Sequence, residues 1–403
     1  MTTPYLLFDS DNHYYEPRDA FTRHMEERYQ DRAIRVVTDD RDRDRILIGD
    51  EPFTFLTPLF QDAPAPGALA ELMRGKRADT GERPHYEMQP EFVNRDARLA
   101  AMDRQGVESA VMLPTLGVTV EHQMRHDHEG TFANLRAFNR WLEEDWGFAY
   151  EDRIFGVPLL SLVDIDLAVE ELKRVIEAGA RIVHLRPTPV DGRNIADPHF
   201  DPFWALCNEA RIPVAFHICE AGYNELMSTQ LGELPNPRSH KQSALQWAMF
   251  FGDRPIMDTL AALIYADLFG RFPNLKVMTI ENGSSWLPYL LKRLDKMKGM
   301  GRFGQWVGGQ APKGRPSEIF REHVVVSPYF EDDHTELIDL IGADSIVFGS
   351  DWPHPEGLAE PRSYLESLPD SLSASDTRKI MRDNGRRLVG LPIETPPMSS
   401  SPQ

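Results

Sequence analysis

Four side chains of metal-binding type follow, or lie within, short apolar runs of this sequence. Asp11 and His13 come two residues apart directly after the first apolar run, so both point to the same side of an extended chain. His217 lies inside a second apolar run, and Asp351 ends a third. Alone, Asp11 and His13 could form a polar turn, and His217 could be a core histidine. A carboxylate at the end of an apolar run, however, needs a cation or several donors, so the set indicates a metal site.

These four residues offer two imidazoles and two carboxylates, a mixed donor set that suits Zn, Mn or Fe. An open coordination position on such a metal binds water and lowers its pKa to about 7, which gives a hydroxide nucleophile at neutral pH. Asp351 is the group expected to accept the proton of that water. The sequence therefore predicts a divalent metal ion as cofactor.

The metal-binding side chains stand where strands are expected to end. Short apolar runs alternate with helical patterns, which is typical of parallel strands covered by helices. Eight strands are predicted, at residues 5–9, 109–114, 155–161, 181–186, 213–219, 275–281, 324–329 and 345–350. Helices are predicted at residues 93–105, 131–150, 165–178, 202–210, 256–269, 286–298, 332–341 and 375–388. This alternation favours an α/β fold, a distorted (β/α)8 TIM barrel, in which reactive side chains gather at the C-terminal ends of the strands.

Two long connections depart from this alternation. An insertion at residues 18–92, rich in Pro, Arg and acidic residues, follows the first strand, and a connection at residues 221–255 follows the fifth. Both are predicted to form a lid over the mouth of the barrel. The barrel with its lid is predicted as one domain over residues 1–392, with a flexible C-terminal tail at residues 393–403.

Composition argues against several classes of protein. The formal net charge is −19, with Asp and Glu spread along the chain, which argues against a nucleic-acid partner. Two cysteines are too few for a disulfide scaffold, and no apolar stretch approaches the roughly 20 residues that span a bilayer, so a cytoplasmic protein without a membrane segment is expected. Glycine-rich nucleotide loops and a Gly-x-Ser-x-Gly elbow are absent, which favours a small-molecule substrate without a nucleotide cofactor.

Several motifs occur in an order shared with a known family. They are Asp-x-Asp-x-His at residues 9–13, His217, Phe-Pro-Asn-Leu-Lys-Val at residues 272–277, and Gly-Ser-Asp-Trp-Pro-His at residues 349–354. The chain thus resembles the amidohydrolase-2 branch of the amidohydrolase superfamily, which includes aminocarboxymuconate-semialdehyde decarboxylase. That family has His-x-His at the first strand, with an acid in the first place in several decarboxylases. The resemblance implies that the four residues above bind the metal and that the protein is a homo-oligomer such as a dimer.

The chain departs from this family after the sixth strand. The decarboxylases have a His followed by glycines there, and this chain reads Ile-Glu-Asn-Gly-Ser-Ser-Trp, with Glu281 in the place of the catalytic His. Glu281 could be a general acid/base whose pKa is raised by burial, a ligand of a second metal, or a cap on the following helix. His240, in the connection after the fifth strand, could bind the same second metal or lie at the surface. One or two ions are therefore predicted.

Three further polar residues near strand ends are candidates for binding substrate. Arg186 ends the fourth strand, where it could clamp a carboxylate or phosphate or pair with the acidic lid. Glu16 follows His13 by three positions and could instead orient that ligand or occupy a plain turn. His354 ends the last of the shared motifs, three residues after Asp351.

Three functions are compatible with these residues. The main prediction is a metal-dependent hydrolase that cleaves an amide, ester or thioester bond with metal-bound hydroxide, while Asp351 and Glu281 move protons. The alternative is non-oxidative decarboxylation, in which the metal binds the carboxylate or phenolate of the substrate and no water attacks. A carboxylate at position 281 slightly favours hydrolysis, because protonation of a developing carbanion usually recruits a neutral or cationic donor. Glu281 in a dry pocket could also stay protonated and donate. A non-catalytic metal-binding barrel is the remaining possibility.

Overall fold

The computed structural model describes residues 4–57, 59–69 and 85–393 of the chain. Its strands are β1 Leu7–Tyr14, β2 Ile34–Thr38, β3 Asp44–Ile48, β4 Glu51–Phe53, β5 Asp62–Pro64, β6 His85–Glu87, β7 Val107–Pro114, β8 Ile154–Gly156, β9 Val183–His184, β10 Val214–His217, β11 Val277–Ile280 and β12 Val324–Val326. Its described α-helices are α1 Pro90–Val93, α2 Arg95–Gln105, α3 Glu121–Met124, α4 His128–Asp145, α5 Ile165–Glu177, α6 Asp201–Ala210, α7 Tyr223–Leu226, α8 Ala244–Phe250, α9 Asp253–Tyr265, α10 Leu268–Arg271, α11 Leu287–Met300, α12 Pro316–His323, α13 His334–Ile341, α14 Ala374–Arg378 and α15 Asn384–Leu388.

Parallel strands form two sheets in the core of the molecule. One sheet has the order β1-β7-β8 and the other the order β12-β11-β10-β9. Single parallel bridges extend these sheets between Leu159 and His184, Val326 and Ile346, and Asn12 and Trp352. The predicted α/β fold with parallel strands is therefore confirmed. The described residues do not form one continuous closed ladder of strands. The run predicted as the eighth strand, residues 345–350, is not a strand and is held by single bridges and isolated backbone hydrogen bonds.

Apolar side chains cover both faces of the parallel sheets. Successive residues of one strand fall into two separate clusters, because neighbours along a strand point to opposite faces. Ala215 and Met278 belong to the smaller cluster, whereas Val214 and Val277 belong to the larger one, which also contains the buried faces of the helices. Burial on both faces explains why these strands read as continuous apolar runs in the sequence.

Helix α5 illustrates how local sequence forms the layer around the sheets. The Asp164 side chain accepts two backbone hydrogen bonds at the N-terminus of the helix. Ala168, Leu172 and Val175 are buried and recur every three or four residues, so one face of the helix is apolar. Packing of that face provides most of the stability of such a helix. Among the described residues, no helix has both the length and the apolar character needed to cross a membrane.

The described strands of the insertion predicted at residues 18–92 pair in antiparallel fashion. Strands β2, β3 and β4 form one small sheet, and β5 pairs with β6. Ile34, Ile46 and Phe53 of the small sheet join the main core cluster. Position 58 and residues 70–84 of this insertion lie outside the described residues, as do positions 394–403 of the predicted tail.

Candidate metal centre

The four predicted metal ligands lie together, two of them within β1, one at the end of β10 and one in the segment that follows residue 350. His13 Nε2 is 3.2 Å from Asp11 Oδ1, 3.4 Å from Asp351 Oδ1 and 3.3 Å from His217 Nε2. Strand β1 supplies the first two residues, and β10 ends on His217. The backbone N–H of Asp351 donates to Asp11 O at 2.8 Å, which fixes the last segment beside the first. All four side chains belong to buried residues.

The donor atoms at this centre fit a divalent metal ion. Within the described ranges, two sets of side chains offer ligand atoms that lie within 4.8 Å of one another, namely Asp11, His13 and His217, and His13, Glu281, Asp351 and His354. Asp11 Oδ1 is buried and accepts no hydrogen bond from any residue that the structure describes. His13 Nε2 lies 3.2 Å from it. A carboxylate oxygen without a donor, next to two imidazole nitrogens, is the environment that a metal ion completes.

Glu281 faces the same centre. Its Oε2 is 3.0 Å from His217 Nε2, and its backbone carbonyl accepts a hydrogen bond from Tyr329 Oη at 2.7 Å. Glu281 and Asp351 both have a φ of about +55°, which is uncommon for residues other than glycine and concentrates at functional sites. Glu281 does not cap α11, whose N-cap residue is Trp286. Its position is compatible with proton transfer or with metal ligation.

Electrostatics at the centre favour a bound cation. Burial and the charges of Glu281 and Glu356 raise the pKa of Asp351 well above its usual range. Burial and two neighbouring imidazoles lower the pKa of His13 well below its usual range, which keeps this imidazole neutral. Neutral imidazoles are the form that binds metals, and a cation would offset the repulsion between the carboxylates.

His354 directly contacts Asp351, one of the four predicted metal ligands. Its Nδ1 is 2.7 Å from Asp351 Oδ1, and its Nε2 is 2.9 Å from Thr115 Oγ1. The ring centre lies 4.1 Å from that of His13. The sequence predicts a substrate-binding role for His354, and the structure places it where it orients Asp351.

Arg186 takes part in a charged network that reaches the connection at residues 221–255. Its Nη1 donates to His122 Nδ1 at 3.1 Å, and His122 Nε2 lies 3.0 Å from Glu225 Oε2. Arg125 also binds both oxygens of Glu225, at 2.8 and 2.9 Å. Burial and the two arginines lower the pKa of His122 to about 4, so the neutral ring accepts from Arg186 and donates to Glu225. Arg186 Nε makes no hydrogen bond within the described residues.

Two other predicted site residues lie elsewhere. The Glu16 carboxylate accepts hydrogen bonds from the backbone N–H groups of Leu116, at 2.9 Å, and Gly117, at 2.7 Å, and so anchors the loop after β7. Burial raises the pKa of Glu16 to about 7. His240 is exposed on the turn Ser239–Lys241 and belongs to neither candidate ligand set among the residues that the structure describes.

A buried network that the sequence does not reveal supports the end of β1. Arg98, on α2, donates to His13 O at 2.7 Å and to Asn12 Oδ1. The Asp9 carboxylate accepts from Asn12 Nδ2 at 2.9 Å and from Ser350 N at 2.9 Å. The complete burial of Arg98 is visible only in the structure, so its residue type and position give no signal for this network.

The chain belongs to the amidohydrolase family, whose model matches residues 83–391. The predicted family is therefore confirmed, and it implies a TIM-barrel-like α/β fold, in agreement with the parallel sheets. The chain is similar to γ-resorcylate decarboxylase from Rhizobium sp. strain MTP-10005, with 27% identity over 316 residues that cover 74% of this chain and 87% of the relative.

Two crystal structures extend this similarity. An amidohydrolase, map2389c, from Mycobacterium avium subsp. paratuberculosis K-10 is 41% identical, with a TM-score of 0.87 over 96% of this chain and 100% of that one. A dihydroxybenzoic acid decarboxylase from Polaromonas sp. JS666, with bound manganese and the inhibitor 2-nitroresorcinol, is 18% identical, with a TM-score of 0.60 over 96% and 97% of the two chains. A divalent metal cofactor is consistent with the donor set of the candidate centre.

The prediction of acyl-bond hydrolysis is wrong. The curated relatives reported for this chain are named decarboxylases, which points to decarboxylation rather than hydrolysis. The argument from position 281 fails for a physical reason, because a carboxyl group beside the reacting atoms can carry a proton in either reaction. A carboxylate there therefore does not favour hydrolysis over decarboxylation.

Proposed function

We propose that this protein is a divalent-metal-dependent decarboxylase that removes CO2 from a small aromatic carboxylic acid. The observation that carries the proposal is the convergence of Asp11, His13, His217 and Asp351 at one buried centre. It occurs in a chain that is similar to γ-resorcylate decarboxylase over most of the length of that relative.

These four residues would hold the metal, and Glu281 borders the same site. When bound, a divalent cation supplies positive charge for the carboxylate or phenolate oxygens of the substrate. In the reaction, the bond between the ring carbon and the carboxylate carbon breaks, and CO2 leaves. The electron pair stays on the ring carbon, which takes up one proton. Asp351 and Glu281 are the carboxyl groups that we assign to hold and deliver this proton.

Arg186 is the residue that we assign to bind an anionic group of the substrate. Its guanidinium is buried, and its Nε lies 3.7 Å from the buried Glu121 Oε1 without forming a hydrogen bond within the described residues. Its partner His122 lines a cavity of about 500 Å³ together with Glu225, Phe53 and Phe55. Phe53 and Phe55 come from the insertion after β1, which supports the assignment of that insertion as a lid. Arg186 and the candidate metal ligands are not among the residues that line this cavity, so it adjoins the proposed anion site and does not contain the metal centre.

The remaining architecture is proposed on the same basis. The single bridges between the two parallel sheets support a distorted (β/α)8 barrel as the arrangement of the chain. We assign the barrel and its lid to one domain over residues 1–392. A homo-oligomer, such as a dimer, stays a prediction.

The test is metal-dependent release of CO2. Metal-stripped protein is reloaded with Mn²⁺ and incubated with 2,6-dihydroxybenzoate and other hydroxylated benzoates, and CO2 and the decarboxylated phenols are measured. We expect turnover of at least one acid, which stops on chelation. Asp351→Asn should lower kcat by at least about 100-fold, because a ligand and a proton carrier are lost together.

Asp50→Asn is the matched control. The Asp50 side chain is 94% exposed, so this substitution should leave turnover unchanged. A parallel panel of aryl amides and esters measures hydrolysis in the same samples. No metal-dependent CO2 release across the acid panel would contradict the proposal.

A further inference from the structure

Thr115 lies at the end of a chain of contacts that reaches Asp351. It directly follows β7, and its Oγ1 is 2.8 Å from Tyr14 O and 2.9 Å from His354 Nε2. On the opposite side of the imidazole, Nδ1 is 2.7 Å from Asp351 Oδ1. The ring is buried and packs beside the ring of His13.

The direction of these hydrogen bonds follows from the protons available. A carbonyl oxygen can only accept, so the single hydroxyl proton of Thr115 goes to Tyr14 O. The hydroxyl oxygen then accepts from the Nε2–H of His354, and the 2.7 Å contact on the other side of the ring requires a proton on either Nδ1 or the Asp351 carboxyl group. With Nε2 bound in this way, the ring has one orientation, and in it Nδ1 faces Asp351 Oδ1.

We propose that Thr115 is a positioning residue that acts through His354 to hold Asp351 in its metal-binding orientation. Partners of this kind orient the residues that bind a metal and affect both affinity and activity. Thr115 touches neither the metal ligands nor the assigned proton carriers in the contacts described above, so its influence passes through the imidazole.

The loop that carries Thr115 does not depend on its hydroxyl group. Glu16 anchors the next two residues through the backbone N–H groups of Leu116 and Gly117. Thr115 N also donates to Tyr14 O at 3.3 Å, so that carbonyl keeps a donor when the hydroxyl is removed. A substitution that deletes only the hydroxyl should therefore leave the loop in place and test the contact with His354.

Mn²⁺ affinity of the metal-free protein tests the inference without a substrate. Thr115→Val keeps the shape of the side chain and removes the hydroxyl, and we expect Mn²⁺ binding about tenfold weaker by calorimetric titration. Thr115→Ser restores the hydroxyl and should return the affinity to within about twofold of the wild type. If Thr115→Val does not fold, Thr115→Ala supplies the hydroxyl-free variant.

The kinetic arm rests on the proposed function. At saturating Mn²⁺, Thr115→Val should lower kcat for decarboxylation and leave KM unchanged, and Thr115→Ser should restore kcat. Because the affinity arm needs no turnover, a protein that binds Mn²⁺ but decarboxylates nothing contradicts the proposed function alone.

A double-mutant cycle separates positioning from a general effect on the loop. His354→Phe keeps a ring and removes both nitrogens, so Thr115→Val should cause no further loss of Mn²⁺ affinity in that background. Unchanged Mn²⁺ affinity in the hydroxyl-free variant, or additive losses in the double variant, would overturn the inference.

Discussion

At the scale of single residues, the centre places several acidic side chains in one buried volume. Asp11, Glu281 and Asp351 all contact an imidazole there, and water has little access to screen their charges. Burial lowers the pKa of His13, whereas at His217 burial is outweighed by the hydrogen bond and charge of Glu281, which raise the pKa. A bound cation would therefore balance the negative charge of these carboxylates. Single substitutions should separate the residues that bind the cation from the residues that act on the substrate.

We expect His217→Ala to lose the bound metal and Glu281→Gln to keep one equivalent with strongly reduced kcat. The first change removes a donor atom, whereas the second keeps the shape of the side chain and removes its charge. Elemental analysis of the purified variants measures the metal, and the CO2 assay measures kcat.

His240→Ala is the control for this pair, because His240 is exposed and outside both candidate ligand sets of the described residues. Two equivalents of metal in the wild type, with one lost in Glu281→Gln, would instead make Glu281 a ligand of a second ion.

Residue type and spacing suffice to find Asp11, His13, His217 and Asp351, because each stands at or near the end of a local apolar run. They do not reveal the role of His354, whose hydroxyl partner Thr115 lies 239 positions away in the sequence. Such contacts depend on how distant segments meet. The sequence also does not determine the reaction, because the same set of metal-binding residues supports both hydrolysis and decarboxylation.

At the scale of elements, β1 decides the geometry of the centre because it carries two of the ligands. Its end is held from one side by Arg98 of α2 and from the other by Ser350, through Asp9. We therefore expect metal binding at the candidate centre to depend on how α2 and the segment around Ser350 pack against β1.

Arg98→Met should destabilise the protein by about 3 kcal/mol and leave the fold unchanged. The substitution leaves the buried His13 carbonyl and Asn12 oxygen without their charged donor. Urea unfolding, followed by circular dichroism, measures the free energy of unfolding.

Arg104→Met, on the same helix, is the matched control for this change. The Arg104 side chain is 64% exposed and pairs with Glu91, so its loss should cost at most about 1 kcal/mol. Equal effects of the two substitutions would show that the buried network does not stabilise β1.

Elements with a strong local pattern are predictable, and those that depend on pairing between segments are not. The helix predicted at residues 165–178 is Ile165–Glu177, and that at residues 286–298 is Leu287–Met300, because their apolar spacing is a property of the segment itself. The small sheet of β2, β3 and β4 was missed, because strands in the insertion are stabilised by one another rather than by their own sequences.

At the scale of the whole molecule, the metal centre lies where the first and last segments of the core meet. Three backbone hydrogen bonds of 2.8 Å join them, from Ser10 to Phe348, from His13 to Trp352 and from Asp351 to Asp11. The ligands therefore come together only when the intervening strands and helices have assembled. A metal ion that binds this centre binds the native state and not the unfolded chain, so it must stabilise the entire fold.

Removal of the metal should consequently lower the thermal midpoint of the whole protein. At a free Mn²⁺ concentration of about 100 times Kd, binding contributes about 2.7 kcal/mol, which corresponds to a shift of about 3 °C for a chain of this length. Differential scanning calorimetry with chelator, and again after Mn²⁺ is restored, measures the shift. His217→Ala should unfold at the same temperature under both conditions, because it lacks a donor atom at the centre. A chelator-sensitive midpoint in His217→Ala would place the stabilising metal at a different site.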